Sequence, residues 1–287
     1  MAARRLAPVG AHISVAGGLA RALTRAADVG AEVAQIFVAN PRGWAPPPPD
    51  PDGDAAFAEQ CVLPVFVHAP YLINFGSPSA DTLARSGDAL AFSLHRAAAI
   101  GARGVVLHAG SAVLGNRRED ALAQVREAVL GVLDAIPDAP PLLIEPTAGG
   151  GGALASDAAS LADYLDALGR DERIGVCLDT CHLHAAGHDL ATPRAFAATL
   201  RAFARAAGPG RIGLMHVNDS RDTVGSKRDR HESIGRGTIG AAPFAALFDT
   251  PATRRVPMVV ETQDSEQAAD IATLKELRAA TPVRRSG

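Results

Sequence analysis

The sequence predicts a single-domain α/β protein folded as a (β/α)8 (TIM) barrel, and three observations support this fold. Eight short apolar runs alternate with eight segments of helical pattern over about residues 9–280. Uninterrupted apolar runs are typical of parallel strands that are covered on both faces. The chain has 287 residues, enough for such a barrel, which typically needs about 250. We therefore expect one domain over residues 1–287 with short flexible termini.

The predicted elements follow one another in regular alternation. The predicted strands cover residues 9–13, 33–38, 63–67, 104–107, 141–144, 174–178, 211–215 and 257–260. The predicted helices cover residues 19–29, 54–61, 81–100, 119–133, 156–168 with Ser156 as the cap, 193–207, 243–248 and 268–280. The alternative is an open doubly wound sheet, which should carry a Gly-rich phosphate loop after the first strand. Ala16-Gly17-Gly18 is too short for that fingerprint.

Composition excludes several classes of protein. The formal net charge of −3 does not indicate a nucleic-acid partner, although three bound divalent ions would add about +6. The three cysteines form no CxxC pair and favour a reducing compartment. Residues 1–5 are basic, but no apolar segment follows them, so we expect no signal peptide. No apolar run approaches a membrane span. We expect a cytoplasmic protein.

Residues of metal-binding type end most of the predicted strands. They are His68, His108, Glu145, Asp179, His216 and Glu261. In a barrel, the carboxyl ends of the strands converge on one axis. Carboxylates held close together repel each other unless cations lie between them. Each residue alone has an ordinary structural explanation, but the six together predict a metal centre.

Three further donors extend this set. His182 follows Asp179 by three residues, and Asp229 and His231 have the i, i+2 spacing that places two side chains on one face of an extended chain. We expect these three to hold one ion. Histidine and carboxylate ligands suit zinc, with manganese possible. At three or four ligands per ion, nine donors serve up to three ions if one carboxylate bridges two.

Five motifs carry a resemblance to a known family. They are GAHIS (10–14), IEPTAG (144–149), GVCLDTCH (175–182), MHVND (215–219) and DRH (229–231). Together they resemble the endonuclease IV family of apurinic/apyrimidinic endonucleases, and the similarity covers about residues 9–280. The resemblance implies a barrel with three zinc ions. It implies that His68 and His108 bind the first ion, that Glu145 bridges the first and second, that Asp179, His216 and Glu261 complete the second, and that His182, Asp229 and His231 hold the third.

The resemblance also implies the reaction and the substrate. The implied activity is hydrolysis of the phosphodiester 5′ to an abasic site in double-stranded DNA, leaving a 3′-hydroxyl, together with trimming of blocked 3′ ends. Glu145 is the implied catalytic residue, which orients or deprotonates the attacking water. Arg42, Tyr71 and Leu72 are the implied DNA contacts, filling the gap in the duplex from loops that we expect to lie apart from the metal ligands. We expect a monomer.

The sequence departs from the family pattern at four positions near the implied ligands. They are Pro146, where asparagine is usual, His184, where an aromatic residue is usual, Glu232 and Arg236. None of them removes a ligand. Two other functions stay open: a sugar isomerase or epimerase, which uses one or two metals at the mouth of a barrel, and a protein that binds abasic sites without cutting. A third metal site disfavours the isomerase, because a third ion would bind a phosphate group and an isomerase has no use for it.

Overall fold

Eight parallel strands form a closed barrel at the centre of the molecule. The computed structural model describes residues 6–113 and 115–281. The basic residues 1–5 and the two ends of the predicted 1–287 domain lie outside the described residues. The strands are β1 (Val9–His12), β2 (Ala34–Phe37), β3 (Val65–His68), β4 (Val105–His108), β5 (Leu142–Glu145), β6 (Ile174–Asp179), β7 (Ile212–His216), the short hairpin strands β8 (Asp219–Ser220) and β9 (His231–Glu232), and β10 (Met258–Val260).

The barrel confirms the predicted topology. Its strands are hydrogen-bonded in the order β1-β10-β7-β6-β5-β4-β3-β2, and β1 pairs with both β2 and β10 to close the ring. The helices that surround it are α1 (Leu19–Asp28), α2 (Pro51–Gln60), α3 (Ala80–Ala99), α4 (Arg118–Ala135), α5 (Ala158–Ala167), α6 (Thr180–Ala186), α7 (Pro193–Ala207), α8 (Ala245–Asp249) and α9 (Gln267–Ala280). A 3₁₀ turn, Ala242–Phe244, precedes α8.

Two apolar cores follow from the alternation of side chains along each strand. The larger core joins one face of the strands to the surrounding helices and includes Val67, Leu107 and Leu94. The smaller core fills the barrel interior. Its members are Val33, Phe66, Val106, Leu143, Cys177, Leu214 and Val259. Since successive strand residues point to opposite faces, the residue two positions after each of these also points inward.

Local side chains determine where the helices begin. Ser79 caps α3 by accepting a hydrogen bond from the backbone N–H of Thr82. Helix α2 begins at Pro51, earlier than predicted, because Asp50 caps it and proline is tolerated in the first turn. The prediction that Ser156 caps α5 is wrong. The cap is Asp157, whose carboxylate accepts from the N–H of Ser160 at 2.8 Å in a capping box.

Two elements were absent from the sequence prediction. Helix α6 begins directly at the end of β6, in a segment to which the sequence prediction assigned no element. The segment 219–240, which lies between the predicted strand 211–215 and the predicted helix 243–248, contains the antiparallel β8–β9 hairpin. Within the described part of the chain, none of the helices has the length and apolar character required to cross a membrane.

Candidate metal centre

The six predicted strand-end donors lie together at one mouth of the barrel. Each comes two residues after a member of the interior core, so the same alternation that buries the core residue turns the donor inward. The residues at these positions are Gln35, His68, His108, Glu145, Asp179, His216 and Glu261. The regular spacing adds Gln35, which the sequence analysis missed, because an amide is not a typical metal ligand.

Glu145 lies at the centre of this group and is fully buried. Its Oε2 atom is 3.4 Å from Nε2 of His68 and 3.4 Å from Nε2 of His108. Its Oε1 atom is 3.0 Å from Nδ1 of His216 and 3.2 Å from Nδ1 of His182. Burial would raise the pKa of Glu145, but the imidazoles of His216 and His108 outweigh it and hold the pKa well below its usual value. The carboxylate therefore faces two separate sets of nitrogen atoms, the arrangement that bridging two ions requires.

Three carboxylates converge on His216. Its Nδ1 atom is 3.0 Å from Glu145 Oε1, 3.2 Å from Glu261 Oε2 and 4.0 Å from Asp179 Oδ2. Burial raises the pKa of Asp179, and the negative charges of Glu145 and Glu261 raise it further. His182 and His231 lower this pKa but do not cancel the increase. Among the described residues, buried Glu145 Oε2 finds no hydrogen-bond donor. Three carboxylates held this close together repel one another unless cations lie between them, so these residues fit a divalent metal.

His182, Asp229 and His231 form a third group beside the first two. Asp229 Oδ2 is 3.2 Å from His182 Nε2, and Asp229 Oδ1 is 2.9 Å from His231 Nε2. Burial would raise the pKa of Asp229, but the two imidazoles lower it below the ordinary range. Nδ1 of His182 lies 3.1 Å from the Pro146 carbonyl, to which it donates, so its Nε2 lone pair faces Asp229. The structure thus brings together residues from α6 and from the 219–240 segment.

Asp219 holds that segment in place, a role that the sequence did not reveal. The side chain is fully buried. Its Oδ2 accepts from the backbone N–H groups of Gly235, Gly237 and Gly240 at 3.0, 3.1 and 3.2 Å, and its Oδ1 accepts from those of Ser220 and Ile239 at 2.8 and 2.9 Å. A Cβ at Gly237 would lie 2.4 Å from Asp219 Oδ1. One carboxylate therefore shapes the loop that presents Asp229 and His231.

Comparison with known proteins shows the family of the chain. A family model described as "Xylose isomerase-like TIM barrel" matches residues 23–280. A protein of Streptomyces coelicolor named "Probable endonuclease 4" is 50% identical over 279 residues, which cover 94% of this chain and 95% of that protein. The chain belongs to the endonuclease IV family.

The solved structures agree with this assignment. The crystal structure of endonuclease IV from Thermus thermophilus matches with a TM-score of 0.82 and 34% identity, covering 94% of this chain and 98% of that one. A D-tagatose 3-epimerase-like protein matches with a TM-score of 0.74 and 17% identity, covering 96% and 98% of the two chains. The second likeness shows only that the two proteins share the barrel fold.

The residues that family resemblance implies for DNA binding lie on two adjoining loops. Arg42 is exposed after β2, and Leu72 is half-buried after β3. The backbone N–H of Tyr71 donates to the carbonyl of Pro41 at 3.0 Å and joins the loops. The expectation that Tyr71 lies apart from the metal ligands is wrong. Its ring centroid is 5.2 Å from that of His68 and 5.5 Å from that of His108, so the half-exposed ring covers both imidazoles.

The four departures from the endonuclease IV pattern have identifiable contacts. Pro146 provides the carbonyl that accepts from His182. His184 is buried, and its Nε2 is 3.2 Å from Thr238 Oγ1, which connects α6 with the 219–240 segment. Glu232 pairs with Arg221 at 3.2 Å, and Arg236 pairs with Glu266 at 2.9 Å. These contacts fix the positions of the segments that carry or neighbour the proposed metal ligands.

The two cysteines beside the donors, Cys177 and Cys181, are buried. Burial raises the pKa of Cys177 and of Cys181 to about 12. Both thiols therefore stay protonated near neutral pH. Cys177 belongs to the apolar core of the barrel interior, so the histidines and carboxylates are the better candidates for ligands.

Proposed function

We propose that the protein is a zinc-dependent endonuclease of base excision repair. It hydrolyses the phosphodiester 5′ to abasic sites in double-stranded DNA to leave a 3′-hydroxyl, and it trims blocked 3′ ends as a phosphatase and phosphodiesterase. Its relatives of the same family carry the name endonuclease. The observation that carries the proposal is the position of Glu145, whose two oxygen atoms face two different sets of histidine nitrogens.

The nine donors divide into three proposed ligand sets. His68, His108 and Glu145 hold the first ion; Glu145, Asp179, His216 and Glu261 hold the second; His182, Asp229 and His231 hold the third. Within the first set, and likewise within the third set, the ligand atoms all lie within 4.8 Å of one another. Imidazole and carboxylate donors suit zinc, and manganese can replace it in part. The buried carboxylates supply the charge that these cations neutralise.

The residues of the site support hydrolysis. Bound zinc supplies Lewis acidity and lowers the pKa of water from about 15.7 to about 7. The neighbouring imidazoles keep the carboxylate of Glu145 ionised, and we assign this carboxylate to orient or deprotonate the attacking water. The Tyr71 ring covers the imidazoles of His68 and His108 and shields them from bulk water.

Arg42, Tyr71 and Leu72 are the proposed contacts to the distorted duplex. A nucleotide without a base is extruded at low energetic cost, since it makes no pair. Side chains that enter the resulting gap compensate for the unstacking by contacts to bent DNA. The two adjoining loops present a guanidinium, a half-exposed aromatic ring and an aliphatic side chain at the mouth of the barrel, the chemistry that such a wedge requires.

A cleavage assay combined with elemental analysis tests the proposal. The substrate is a duplex with one tetrahydrofuran abasic analogue, and the control is the undamaged duplex. We expect a single cut 5′ to the analogue, a 3′-hydroxyl product and about three zinc ions per chain. A fully metal-loaded protein that binds the lesion without cutting would identify a damage binder instead. Interconversion of ketohexoses without DNA cleavage would identify an epimerase.

A further inference from the structure

Gln35 makes three contacts inside the proposed metal centre, although an amide binds zinc poorly. The residue lies in β2 and is fully buried. Its Oε1 atom is 2.8 Å from Nε2 of His216. Its Nε2 atom is 2.8 Å from Oε1 of Glu261 and 2.9 Å from Nδ1 of His12. One side chain therefore connects β1, β2, β7 and the residue that follows β10.

The chemistry of Glu261 determines the orientation of the amide. An ionised carboxylate only accepts hydrogen bonds, so the Gln35 atom that faces Glu261 is the NH2 group. Its carbonyl oxygen then faces His216, whose Nε2 must carry a proton in order to donate. The proton on Nε2 leaves Nδ1 of His216 as the atom with a free lone pair for a metal. That atom is the one surrounded by Glu145, Glu261 and Asp179.

The same amide occupies one oxygen of Glu261, and the other oxygen, Oε2, accepts a longer hydrogen bond from Asn218 Nδ2 at 3.4 Å. Oε1 of Glu261 accepts from Gln35, while Oε2 is 3.2 Å from Nδ1 of His216. The second N–H of Gln35 is directed to His12, so all its polar atoms have partners. Asn218 orders Asp179 in a parallel way, since its Nδ2 donates to Asp179 Oδ2 at 2.7 Å.

We propose that Gln35 is a positioning residue for the second metal ion, which selects Nδ1 of His216 and Oε2 of Glu261 as ligand atoms. This inference rests on the proposed function, which supplies the ion. Hydrogen bonds from residues behind the ligands fix the tautomer of a histidine and the orientation of a carboxylate, and their loss typically weakens metal binding by roughly 10- to 100-fold. Gln35 supplies both hydrogen bonds from one side chain.

Zinc affinity measures this role separately from cleavage. Competition with a chromophoric chelator gives the dissociation constants of the wild type, of Gln35→Leu and of the control Gln124→Leu. Gln124 is a half-buried glutamine of α4. Its Nε2 donates a hydrogen bond to the carbonyl of Ser77, and its Oε1 accepts one from Asn116 Nδ2. We expect Gln35→Leu to bind one of its ions roughly 10- to 100-fold more weakly, with the other ions and the control unchanged. The visible spectrum of cobalt-loaded protein should change for Gln35→Leu, because it reports ligand geometry.

A second variant keeps the test valid if leucine prevents folding, which circular dichroism would show. Gln35→Glu has the same shape and keeps an acceptor for His216, but it replaces the donor to Glu261 with a repelling oxygen. We expect Gln35→Glu also to bind one of its zinc ions more weakly than the wild type does. Wild-type affinity and an unchanged cobalt spectrum in both folded variants would overturn the positioning role alone. A wild type that binds no zinc would refute the proposed function itself.

Discussion

Glu145 combines burial with two differently directed oxygen atoms, and its substitution tests the proposed bridge. We predict that Glu145→Gln leaves the fold intact but reduces cleavage by roughly 100- to 10,000-fold, the range associated with a general base. The amide nitrogen of glutamine would face either His68 and His108 or His182 and His216. It bridges two cations poorly and accepts no proton at neutral pH.

The measurement is the single-turnover rate on the abasic duplex, with circular dichroism and elemental analysis on the same samples. Asp138→Asn, a change at an exposed carboxylate, serves as the control and should cleave at the wild-type rate. Unchanged turnover of Glu145→Gln with full metal content would disprove the role assigned to Glu145.

Leu72 and Tyr71 should differ because the Tyr71 ring packs against the imidazoles of His68 and His108. We predict that Leu72→Ala weakens binding to the abasic duplex by on the order of 1–3 kcal/mol, the scale of stacking on nucleic acid, with little change in the saturating rate. Tyr71→Ala should lower both affinity and rate. The dissociation constants and saturating rates of the two variants on the abasic duplex, measured at fixed salt, distinguish these two effects.

The control for both variants is Val62→Ala, since Val62 is 93% exposed and precedes β3, at the opposite end of the barrel from the metal centre. If Leu72→Ala binds normally but its saturating rate collapses, Leu72 supports the metal site and is not a wedge.

Residue type explains which members of the site were predictable. The six strand-end donors were found because each is a charged or imidazole side chain that ends an apolar run. Gln35 was missed because the run continues through Ile36 and Phe37, so that no end is visible there. His12 was not among the predicted site residues, and its Nδ1 lies 2.9 Å from Gln35 Nε2 and 3.4 Å from Glu261 Oε1. The spacing of two from Val33 to Gln35 is visible in the sequence, but its meaning depends on the strand register.

At the scale of an element, Asp219 controls the segment that carries Asp229 and His231. We predict that Asp219→Asn makes opening of residues 219–240 easier by roughly 1–3 kcal/mol, the penalty for leaving buried donors unsatisfied. Both oxygens of Asp219 accept from backbone N–H groups, and the NH2 group of asparagine would oppose one set of these donors. The third ion should be lost with the fold of the segment.

Hydrogen exchange of residues 219–240 and zinc content measure this effect, with Asp138→Asn as the matched carboxylate-to-amide control. Normal exchange protection in Asp219→Asn, with all ions retained, would contradict the role of Asp219.

The elements that the sequence failed to predict are short and have a physical explanation. Asp179 ends β6 and also caps α6, because its carboxylate accepts from the backbone N–H of His182 at 2.8 Å. A residue that ends one element and caps the next leaves no loop signal between them. The two-residue strands β8 and β9 are polar, so they show no apolar alternation.

For the whole molecule, the closed barrel was predictable, but the side-chain contacts between its first and last elements were not. Alternating apolar runs and helical segments leave few possible topologies for parallel strands, so the order of the eight barrel strands followed. The contact that joins the first strand to the last helix depends on residues far apart in sequence. Glu32 accepts from Arg278 Nη1 at 2.6 Å and Nη2 at 3.0 Å, and from the backbone N–H of Val9 at 3.0 Å.

This contact predicts a pH-dependent contribution to the stability of the barrel. Burial would raise the pKa of Glu32, but Arg278 and the N–H of Val9 lower it below its ordinary value of 4.5. A lowered pKa in the folded state means that the stabilisation is complete above the pKa of the unfolded state and is lost as the pH falls through the pKa of the folded state.

We predict that Glu32→Gln lowers the free energy of unfolding by on the order of 1 kcal/mol at pH 7, since the ion pair between Glu32 and Arg278 is partly exposed. Urea unfolding from pH 7 to pH 3 measures the free energies of unfolding of the wild type and Glu32→Gln, and the difference between them should become smaller below pH 4.5. The control is Glu59→Gln, a change at an exposed carboxylate. A difference that stays constant over the whole range would show that Glu32 contributes by packing and not by its charge.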